Sequence, residues 1–390
     1  MGVNPRRAMM PTEIIPLDLR DAPAALHVRA DVQGVLIVVC DDHRPVGLMR
    51  MPRPPDGILA TRDVLTSYRA RAARAAVSPG AAVPVSVIVC THERPDDLAR
   101  CLESLATAAR DGDETIVVDN CPGTGRTAEV AARFRVRYVI EPARGLDRAR
   151  NAGVAAANHD IVAFVDDDVV VTPHWRAAIA AGFDDPAVGC ATGLVLPLEL
   201  ETAAQEEFEI YSQQRREFQR RVYSRKNLRS SAAGIVGVGA NMAYRRSALR
   251  EVGAFDVRLD AGTATRSGGE TDMFARVLDA GWQIVYNPDA QVWHRHRRTT
   301  AELRSCVFGY GIGVYGMLTK RLLEQRDLGT LVTAARWLIG PPFKALRANV
   351  AGRPAPRWSV VLAETAGAAC GPFCFWYETW RARGDRGSAT

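Results

Sequence analysis

Between residues 83 and 168 the chain alternates between continuous apolar runs and segments whose apolar residues recur at helical spacing. Four runs have the length and composition of strands buried on both faces of a sheet: VPVSVIVC from Val83, TIVVDN from Thr115, VRYVIE from Val136 and DIVAFVDDD from Asp160. The segments between them predict helices over 96–109, 127–134 and 145–157. Such alternation implies right-handed crossovers, and therefore an α/β fold with a doubly wound, mostly parallel, Rossmann-like sheet.

The residues before and after this block show other patterns. In residues 1–80, an apolar run at 35–40, the turn signal DDHRP and the run VGLMRM predict a hairpin, and a helix is predicted over 61–76. From residue 301 the pattern is helical. We therefore expect a small N-terminal α+β module over 1–80, a main α/β domain over 81–300 and a helical C-terminal region over 301–390.

The second half of the main domain has a mixed pattern. AVGCATGLVLPL predicts a strand, the polar stretch 201–229 a helix, IVGVGANMAYRRSAL a strand that runs into a helix, and 271–281 a further helix. QIVYNPDAQVWH predicts two short strands on either side of a proline turn. No repeat of solenoid period is present.

The composition limits the class of protein. With 47% hydrophobic and 24% charged residues, the 390-residue chain is neither disordered nor collagen-like. Nearly all the basic residues are arginines, a skew that indicates genomic composition bias, so the net charge of +6 does not by itself predict nucleic-acid binding. The eight cysteines lack zinc-ligand spacing. No secretory signal and no uninterrupted apolar run of about 18 residues is present, so we expect a cytoplasmic protein.

Two stretches leave alternatives open. The basic run over 215–229 is either a solvated helix face or a surface for an anionic ligand. The aromatic residues that lie among arginines after residue 330 either pack on the main domain or lie peripherally on the inner face of a membrane. The most apolar part of this region, 359–377, contains Glu364 and Pro372, which favours a buried or surface-lying segment over a spanning one.

Polar residues follow three of the predicted parallel strands. They are the loop 91–94 (THER) after the first strand, Asp119 and Asn120 after the second, and the aspartate triplet 166–168 after the fourth. Ligands of doubly wound sheets bind at these strand ends. Three adjacent carboxylates repel one another unless a cation lies among them, and Mn²⁺ or Mg²⁺ suits such oxygen ligands. A solvated turn or a helix cap is the alternative.

Two further motifs carry groups with suitable chemistry. In HRHRR, His294 and His296 alternate along an extended segment, so both could point towards a metal held by the aspartates. The alternative is an exposed basic turn. In SGGETDMF, a glycine pair precedes Glu270 and Asp272 at a helix start. A carboxylate there either caps the helix or acts as a general base.

Five motifs together resemble the inverting glycosyltransferases of family two, which have the GT-A fold. In chain order they are SVIVCTHERPDDLARCLESL, TIVVDN, RGLDRARNAG, IVAFVDDDVV and GGETDMFARVLDAGW, and the resemblance covers roughly 83–299. It implies metal-dependent transfer of a hexose from a nucleotide-diphosphate sugar to an acceptor hydroxyl, with inversion at the anomeric carbon. The sugar is not encoded in these motifs; a uridine diphosphate sugar is the default donor. The acceptor could be a glycan, a lipid-linked compound or a small molecule, and the oligomeric state is open.

The resemblance also assigns roles to residues of this chain. For the nucleotide-sugar donor, it implies contacts from Thr91, Arg94, Asp119, Gly145, Arg148, Asn151, Asp166, Asp167 and, beside the donor sugar, Gly239, Ala240 and Asn241. For the metal, it implies Asp168 with Asp166 and His294, and His296 as the substitute for His294. The family commonly has Glu-Asp-x-Asp before the helix, whereas this chain has Glu-Thr-Asp. An ungapped register therefore makes Glu270 the general base and Asp272 the supporting carboxylate.

Two other functions are compatible with part of this sequence pattern. A nucleotidyltransferase can share the sheet and the metal carboxylates, but it would need a glycine-rich basic loop after the first strand, where this chain has CTHERP. A basic module that binds nucleic acid or membrane through the 215–229 run would bind in a salt-sensitive way without responding to sugar nucleotides. The transferase is favoured, and no nucleic-acid partner is expected.

Overall fold

The structure is a computed structural model, and it describes residues 10–72, 83–212 and 218–387. Within these ranges the strands are β1 Thr12–Asp18, β2 Ala25–His27, β3 Gly34–Asp41, β4 Arg44–Pro52, β5 Ile58–Ala60, β6 Val85–Thr91, β7 Glu114–Asn120, β8 Arg137–Glu141, β9 Ile161–Asp166, β10 Val169–Val171, β11 Val188–Pro197, β12 Arg221–Tyr223, β13 Asn241–Arg245 and β14 Gln283–His294.

The α-helices of the same ranges connect these strands or follow them. They are α1 Arg62–Ala72, α2 Pro95–Thr107, α3 Arg126–Ala131, α4 Leu146–Ala156, α5 Trp175–Ala180, α6 Ala203–Ser212, α7 Arg246–Val252, α8 Gly269–Asp279, α9 Thr300–Glu324, α10 Gly329–Val350 and α11 Trp358–Gly387. Short 3-10 helices cover Ala181–Phe183 and Ser230–Ile235.

A nine-stranded sheet forms the centre of the molecule. Its strand order is β10-β14-β11-β13-β9-β6-β7-β8, and β12 pairs with β14 beside this path. The strands β9, β6, β7 and β8 run parallel, as the alternating pattern predicts. The second half of the sheet is mixed, because β13 and β10 run antiparallel to their neighbours.

The two faces of this sheet bury two separate cores because side chains alternate along a strand. On one face Val85, Val87 and Val89 of β6 pack against α2 and α5. On the other face Ile88 packs with residues of α4 and α8. The long apolar strands are thus covered by helices on both sides, the arrangement that parallel sheets require.

Two predicted elements differ from the observed ones, and a third extends beyond the described residues. QIVYNPDAQVWH forms the single strand β14, which bulges after Asn287: Gly193 of β11 pairs with Asn287 and Val195 pairs with Val292. Of the stretch 201–229, for which a helix is predicted, Ala203–Ser212 is helical and Arg221–Tyr223 forms the strand β12; residues 213–217 lie outside the described ranges. The end of the helix predicted over 61–76 also lies outside them.

The N-terminal segment forms the predicted hairpin and packs on the large sheet. β3 and β4 pair antiparallel, and β1 adds to β3 in parallel. Val38 of β3 is buried with Leu194 and Leu196 of β11. The backbone N–H of Thr12 donates to Leu200 O at 2.8 Å, and the Arg44 guanidinium lies 2.8 Å from the Asp289 carboxylate. The division of the chain into three blocks at 80 and 300 stays a prediction.

The C-terminal helices pack closely on one another through glycines. At Gly311 of α9 there is no space for a side chain, because a Cβ atom would overlap the carbonyl oxygen of Glu364 in α11. Among the described residues, one helix segment, Trp358–Gly384, is long and apolar enough to cross a membrane on length and composition alone. The sequence analysis did not predict a spanning helix here, because Glu364, Pro372 and Glu378 interrupt the apolar run of this segment.

The close approach of α9 and α11 gives a stability prediction. We expect Gly311→Ala to lower the free energy of unfolding by about 1–3 kcal/mol, because the methyl group forces the two helices apart. Urea unfolding followed by circular dichroism measures the change. Gly340→Ala in α10 is the matched control, because a Cβ atom there meets open space and alanine favours helix. Equal stability changes in the two variants would contradict the packing argument.

Candidate active site

The ends of β9 and β14 bring together three groups that could hold a metal ion. Asp166 is the last residue of β9, and pairing of β10 with β14 places Val169 opposite His294. One potential ligand atom from each of Asp166, Asp168 and His294 lies within 4.8 Å of the others. The His294 Nε2 atom lies 3.1 Å from Asp168 Oδ1.

In this cluster, the His294 side chain supplies positive charge next to the carboxylates. Burial disfavours the ionised form of Asp168, but His294 and Arg94 outweigh it and hold the pKa of this carboxyl well below its usual range. Burial also opposes the charged form of His294, yet the Asp168 carboxylate raises the imidazole pKa. Burial and the neighbouring Asp168 raise the pKa of Asp166. The positive charge that His294 carries when it is protonated therefore lies where a divalent cation would neutralise both carboxylates.

These residues fit a divalent cation. Two carboxylates and one imidazole are a donor set for Mn²⁺ or a similar ion, with open positions for water and phosphate oxygens. The alternative of a solvated turn is disfavoured, because Asp168 is only 6% exposed. A buried carboxylate without a positive partner would be costly.

Asp167 points to the loop after β6 and away from the metal cluster. Its Oδ2 accepts a hydrogen bond of 2.8 Å from Thr91 Oγ1, and Arg94 NH1 donates to its Oδ1 at 3.2 Å. Burial, despite the Arg94 charge, raises the pKa of Asp167 to about 7. Thr91, Arg94, Asp167 and Asp168 thus form one hydrogen-bonded group at the strand ends.

Asp119, at the end of β7, presents a carboxylate oxygen that needs a donor. It lies opposite Thr91 in the β6–β7 register. Its Oδ2 accepts a 2.5 Å hydrogen bond from the Tyr138 hydroxyl, whereas its Oδ1 is buried and has no hydrogen-bond partner in the described part of the chain. Burial raises the pKa of this carboxyl. A ligand N–H group at this position would satisfy the free oxygen.

The loop that leads into α4 is held in place by Asn120. The Asn120 side chain accepts a hydrogen bond from Gly145 N at 2.9 Å and donates to Ala143 O at 2.8 Å. Arg148, one turn into α4, is partly exposed. The Asn151 side chain instead bonds both to the N–H and to the C=O group of Phe255, each at 2.9 Å. Asn151 therefore secures the segment around 255, while its predicted contact with the diphosphate stays a prediction.

Glu270, in the first turn of α8, is a partly buried carboxyl group with a strongly shifted pKa. Burial and the adjacent Asp260 carboxylate raise the pKa of Glu270 to about 8, although the Arg150 guanidinium opposes this shift. The same Arg150 and Asp260 also influence the pKa of Asp166. Glu270 therefore belongs to the same electrostatic environment as the metal cluster.

A buried charge network next to Glu270, formed by Asp147, Arg150 and Asp260, was not predicted from the sequence. Arg150 NH1 donates to Asp147 Oδ1 at 2.8 Å and to Asp260 Oδ2 at 2.7 Å, and all three residues are at most 5% exposed. Burial and Asp260 raise the pKa of Asp147 well above its usual range. Asp147 and Arg150 lie three residues apart on a predicted helix, and opposite charges at this spacing interact, so this ion pair was predictable from the sequence. Asp260 lies in a loop with no recognisable pattern.

Three predicted site residues, Asp272, His296 and Asn241, form their hydrogen bonds in the protein interior and not at the metal cluster. Asp272 is fully buried, and its Oδ2 accepts hydrogen bonds from Lys320 Nζ at 2.9 Å and Arg276 Nε at 2.8 Å. This carboxylate joins α8 to α9, which leaves Glu270 as the candidate base. The two sequence-based roles, base and supporting carboxylate, are therefore separated in space.

His296 and Asn241 are also engaged in the protein interior. His296 Nε2 lies 2.7 Å from Glu209 Oε1 of α6, and His296 is not part of the metal cluster. Asn241 is fully buried; it accepts from Trp175 Nε1 at 2.9 Å and donates to Ala290 O at 2.7 Å. Within the 239–241 loop, Gly239 is the residue that lies beside Arg150 and Glu270.

Comparison with known proteins agrees with this arrangement. The sequence profile of the family described as "Glycosyl transferase family 2" matches residues 86–253. A pre-mycofactocin glycosyltransferase of Mycobacterium tuberculosis is 29% identical over 295 residues, which cover 72% of this chain and 53% of that protein. Glycosyltransferase AglE of Haloferax volcanii is 24% identical over 266 residues, covering 65% of this chain and 80% of that protein. The chain thus spans about half the length of its mycobacterial relative.

One solved structure shows the shared fold. The mannosyltransferase PcManGT from Pyrobaculum calidifontis, in complex with GDP-Man and Mn²⁺, superposes with a TM-score of 0.52 at 18% identity and covers 80% of this chain and 94% of that one. The α/β fold is therefore of the GT-A type, with a helical C-terminal region. Residues 86–253 match the family profile, and relatives named as glycosyltransferases align with most of the chain, so this protein contains a domain similar to those of glycosyltransferase family 2.

Proposed function

We propose that this protein is a metal-dependent, inverting glycosyltransferase that moves a hexose from a nucleotide-diphosphate sugar to an acceptor hydroxyl. The observation that carries the proposal is the geometry at one edge of the sheet. A carboxylate–imidazole set suited to a divalent cation and a carboxyl group with a pKa of about 8 share the neighbours Arg150 and Asp260. In transfer from an activated diphosphate, a cation can stabilise the leaving group and a base can take the proton of the acceptor hydroxyl.

The nucleotide is proposed to bind along the ends of β6 and β7. The buried Asp119 Oδ1 is placed to accept a hydrogen bond from an N–H group of the base, with uracil as the default. Thr91 and Arg94 form the loop beside it, already held by Asp167. Gly145, the first residue before α4, and Arg148 would line the diphosphate at the positive end of that helix.

Asp166, Asp168 and His294 would hold the cation, proposed as Mn²⁺ or Mg²⁺. When bound, the ion supplies positive charge that stabilises the leaving diphosphate. Arg94 and Arg297 lie near the same carboxylates, with Arg297 NH1 3.7 Å from Asp168 Oδ2. Loss of the imidazolium proton on ion binding would keep the local charge close to balanced.

Glu270 is proposed as the general base. Its carboxylate takes the proton of the acceptor hydroxyl, the hydroxyl oxygen forms a bond to the anomeric carbon, and the bond from that carbon to the diphosphate oxygen breaks on the opposite face. A single displacement needs one base and inverts the configuration. Because its pKa is raised, Glu270 binds the proton more strongly than an ordinary carboxylate does.

The acceptor and the location complete the proposal. The names of the relatives include a pre-mycofactocin glycosyltransferase and a glucosyl-dolichyl phosphate glucuronosyltransferase, so acceptors differ widely among them. For this chain the proposal requires a hydroxyl-bearing acceptor that reaches Glu270. The cytoplasmic location expected from the sequence remains part of the proposal.

Replacing the proposed base gives the first test of the reaction. We expect Glu270→Gln to lower kcat by about 10²- to 10⁴-fold while donor binding is retained, because the amide cannot accept the acceptor proton. Release of nucleoside diphosphate measures kcat, and calorimetry measures donor binding. The comparison variant Asp272→Asn should mainly lower the unfolding temperature, since it removes the charge partner of Lys320. Near-normal turnover of Glu270→Gln would remove Glu270 from the base role.

The raised pKa of Glu270 predicts a pH dependence. A carboxyl group with a pKa of about 8 is mostly protonated at pH 7, so the base form increases as the pH rises through this value. We expect kcat to rise about tenfold per pH unit below the pKa and then to level off. Turnover measured across this pH range tests the expectation. The residual activity of Glu270→Gln should lack this rise, and a wild-type midpoint near the ordinary value of 4.5 would contradict it.

The metal site can be tested without turnover. We expect wild-type protein to bind Mn²⁺ with release of a proton from His294, and the release should diminish as the pH rises above the pKa of this imidazole. Calorimetric titration in two buffers of different ionisation enthalpy measures the released protons. His294→Ala should weaken binding by at least about tenfold.

The neighbouring histidine provides the control for this measurement. His296→Ala should leave Mn²⁺ affinity unchanged, because His296 pairs with Glu209 and not with the aspartates. Equal losses of affinity in the two variants would contradict the assignment of His294. A proton release that persists unchanged in His294→Ala would contradict it as well.

A further inference from the structure

The helices α10 and α11 expose a continuous series of large apolar side chains. Along each helix these residues recur at helical intervals of three, four, seven or eleven, so they form stripes. On α10 they are Leu331, Val332, Leu338, Ile339, Phe343, Leu346 and Val350, and on α11 they are Trp358, Leu362, Phe373, Trp376, Tyr377 and Trp380. Val350 is 82% and Phe373 74% exposed, which is unusual for such residues on a protein that stays in water.

The charged residues in the first part of this region are all basic, whereas its second part contains Glu364 and Glu378. From residue 328 to residue 363 the sequence contains no aspartate or glutamate, and it carries the basic residues Arg336, Lys344, Arg347, Arg353 and Arg357. A surface that combines exposed aromatic and aliphatic side chains with basic ones is complementary to an anionic lipid surface. Tryptophan and tyrosine are the side chains that favour the boundary between headgroups and acyl chains.

The other face of α11 is committed to the protein. Val360, Val361 and Phe375 are buried, and Glu378 accepts a hydrogen bond of 2.7 Å from Ala264 N. The Tyr211 hydroxyl donates to Glu364 at 2.8 Å. A helix that is packed along one side and anchored through two carboxylates cannot cross a bilayer alone, so α11 is suited to lie on a membrane surface.

We infer that the exposed face of α10 and α11 docks on an anionic lipid bilayer. A second copy of the chain is the less suitable occupant, because two such faces would bring their positive charges together. The inference goes beyond the proposed function, since binding to lipid does not depend on which reaction the site catalyses.

The docking face is rigidly connected to the segment before Glu270. α11 packs on α9 at Gly311, and α9 packs at Gly313 against Ser267 without space for a side chain. The Ser267 hydroxyl also donates to Gly309 O at 3.0 Å. Docking would therefore fix the orientation of the active-site edge relative to the lipid surface.

Vesicle flotation of the full chain tests the inference. We expect binding to vesicles of phosphatidylcholine mixed with phosphatidylglycerol, and much weaker binding at high salt or to phosphatidylcholine alone. Each basic residue near an anionic surface contributes about fivefold to partitioning, so Arg336→Glu with Arg347→Glu should reduce binding by at least about 25-fold. Phe373→Ser with Trp376→Ser should reduce it as well, because apolar burial is lost.

Two matched variants and one further measurement complete the design. Arg133→Glu with Arg135→Glu makes the same charge change on exposed residues between α3 and β8, and Ile140→Ser removes an exposed apolar residue of β8. Both should bind vesicles as the wild type does. Hydrolysis of the nucleotide sugar without vesicles should be equal in all variants, which separates a failure of docking from a failure of the proposed reaction.

Two results would overturn the inference. One is equal binding of all these variants, or no binding of the wild type to anionic vesicles. The other is a wild-type dimer in solution, measured by light scattering without lipid, that the substitutions on α10 and α11 convert to a monomer. In that case a second copy of the chain covers this face.

Discussion

The structure depends on how negative charge is compensated at one edge of a buried sheet. Asp166 ends β9, Asp167 and Asp168 follow it, and the low exposure of Asp167 and Asp168 limits screening of their charge by water. Each of these two has a specific positive partner: Arg94 for Asp167 and His294 for Asp168. The compensation is incomplete, because Asp166 keeps a raised pKa. An edge with this surplus of negative charge is suited to a divalent cation, and the proposed chemistry follows from that surplus.

A second acidic group, beneath α8, is undercompensated in a similar way. Arg150 is the buried cation that faces Asp147, Asp260 and Glu270. The first two receive its hydrogen bonds, so Glu270 is left to hold a proton, as its raised pKa indicates. Asp272, two residues along the same helix, has Lys320 and Arg276. The distribution of cations, and not the presence of a carboxylate, thus distinguishes a candidate base from a structural ion pair.

The sequence predicted those features that depend on local pattern. The order of strands and helices from β6 to β9 and the strand-end positions of Asp119 and Asp166 follow from periodicity and from motifs at the ends of strands. The choice of His294 over His296 as the partner of the aspartates came from the family resemblance. Contacts between residues far apart in the chain were not predictable in this way. Lys320, 48 residues after Asp272, and Glu209, 87 residues before His296, decide that these two predicted site residues serve the interior. Their side-chain types alone were equally compatible with catalysis or with packing.

Long-range contacts of the same kind make the C-terminal helices a structural part of the catalytic domain. Lys320 of α9 bonds to Asp272 and lies 2.8 Å from Asp256, so α9 supplies the charge that two buried carboxylates near α8 require. α11 in turn covers the glycine face of α9 and satisfies the backbone N–H of Ala264 through Glu378. Removing the residues after 330 would therefore leave part of the catalytic domain uncovered. Substitution of exposed side chains is the appropriate way to separate docking from folding, because those side chains contribute little to the packing that holds Glu270 in place.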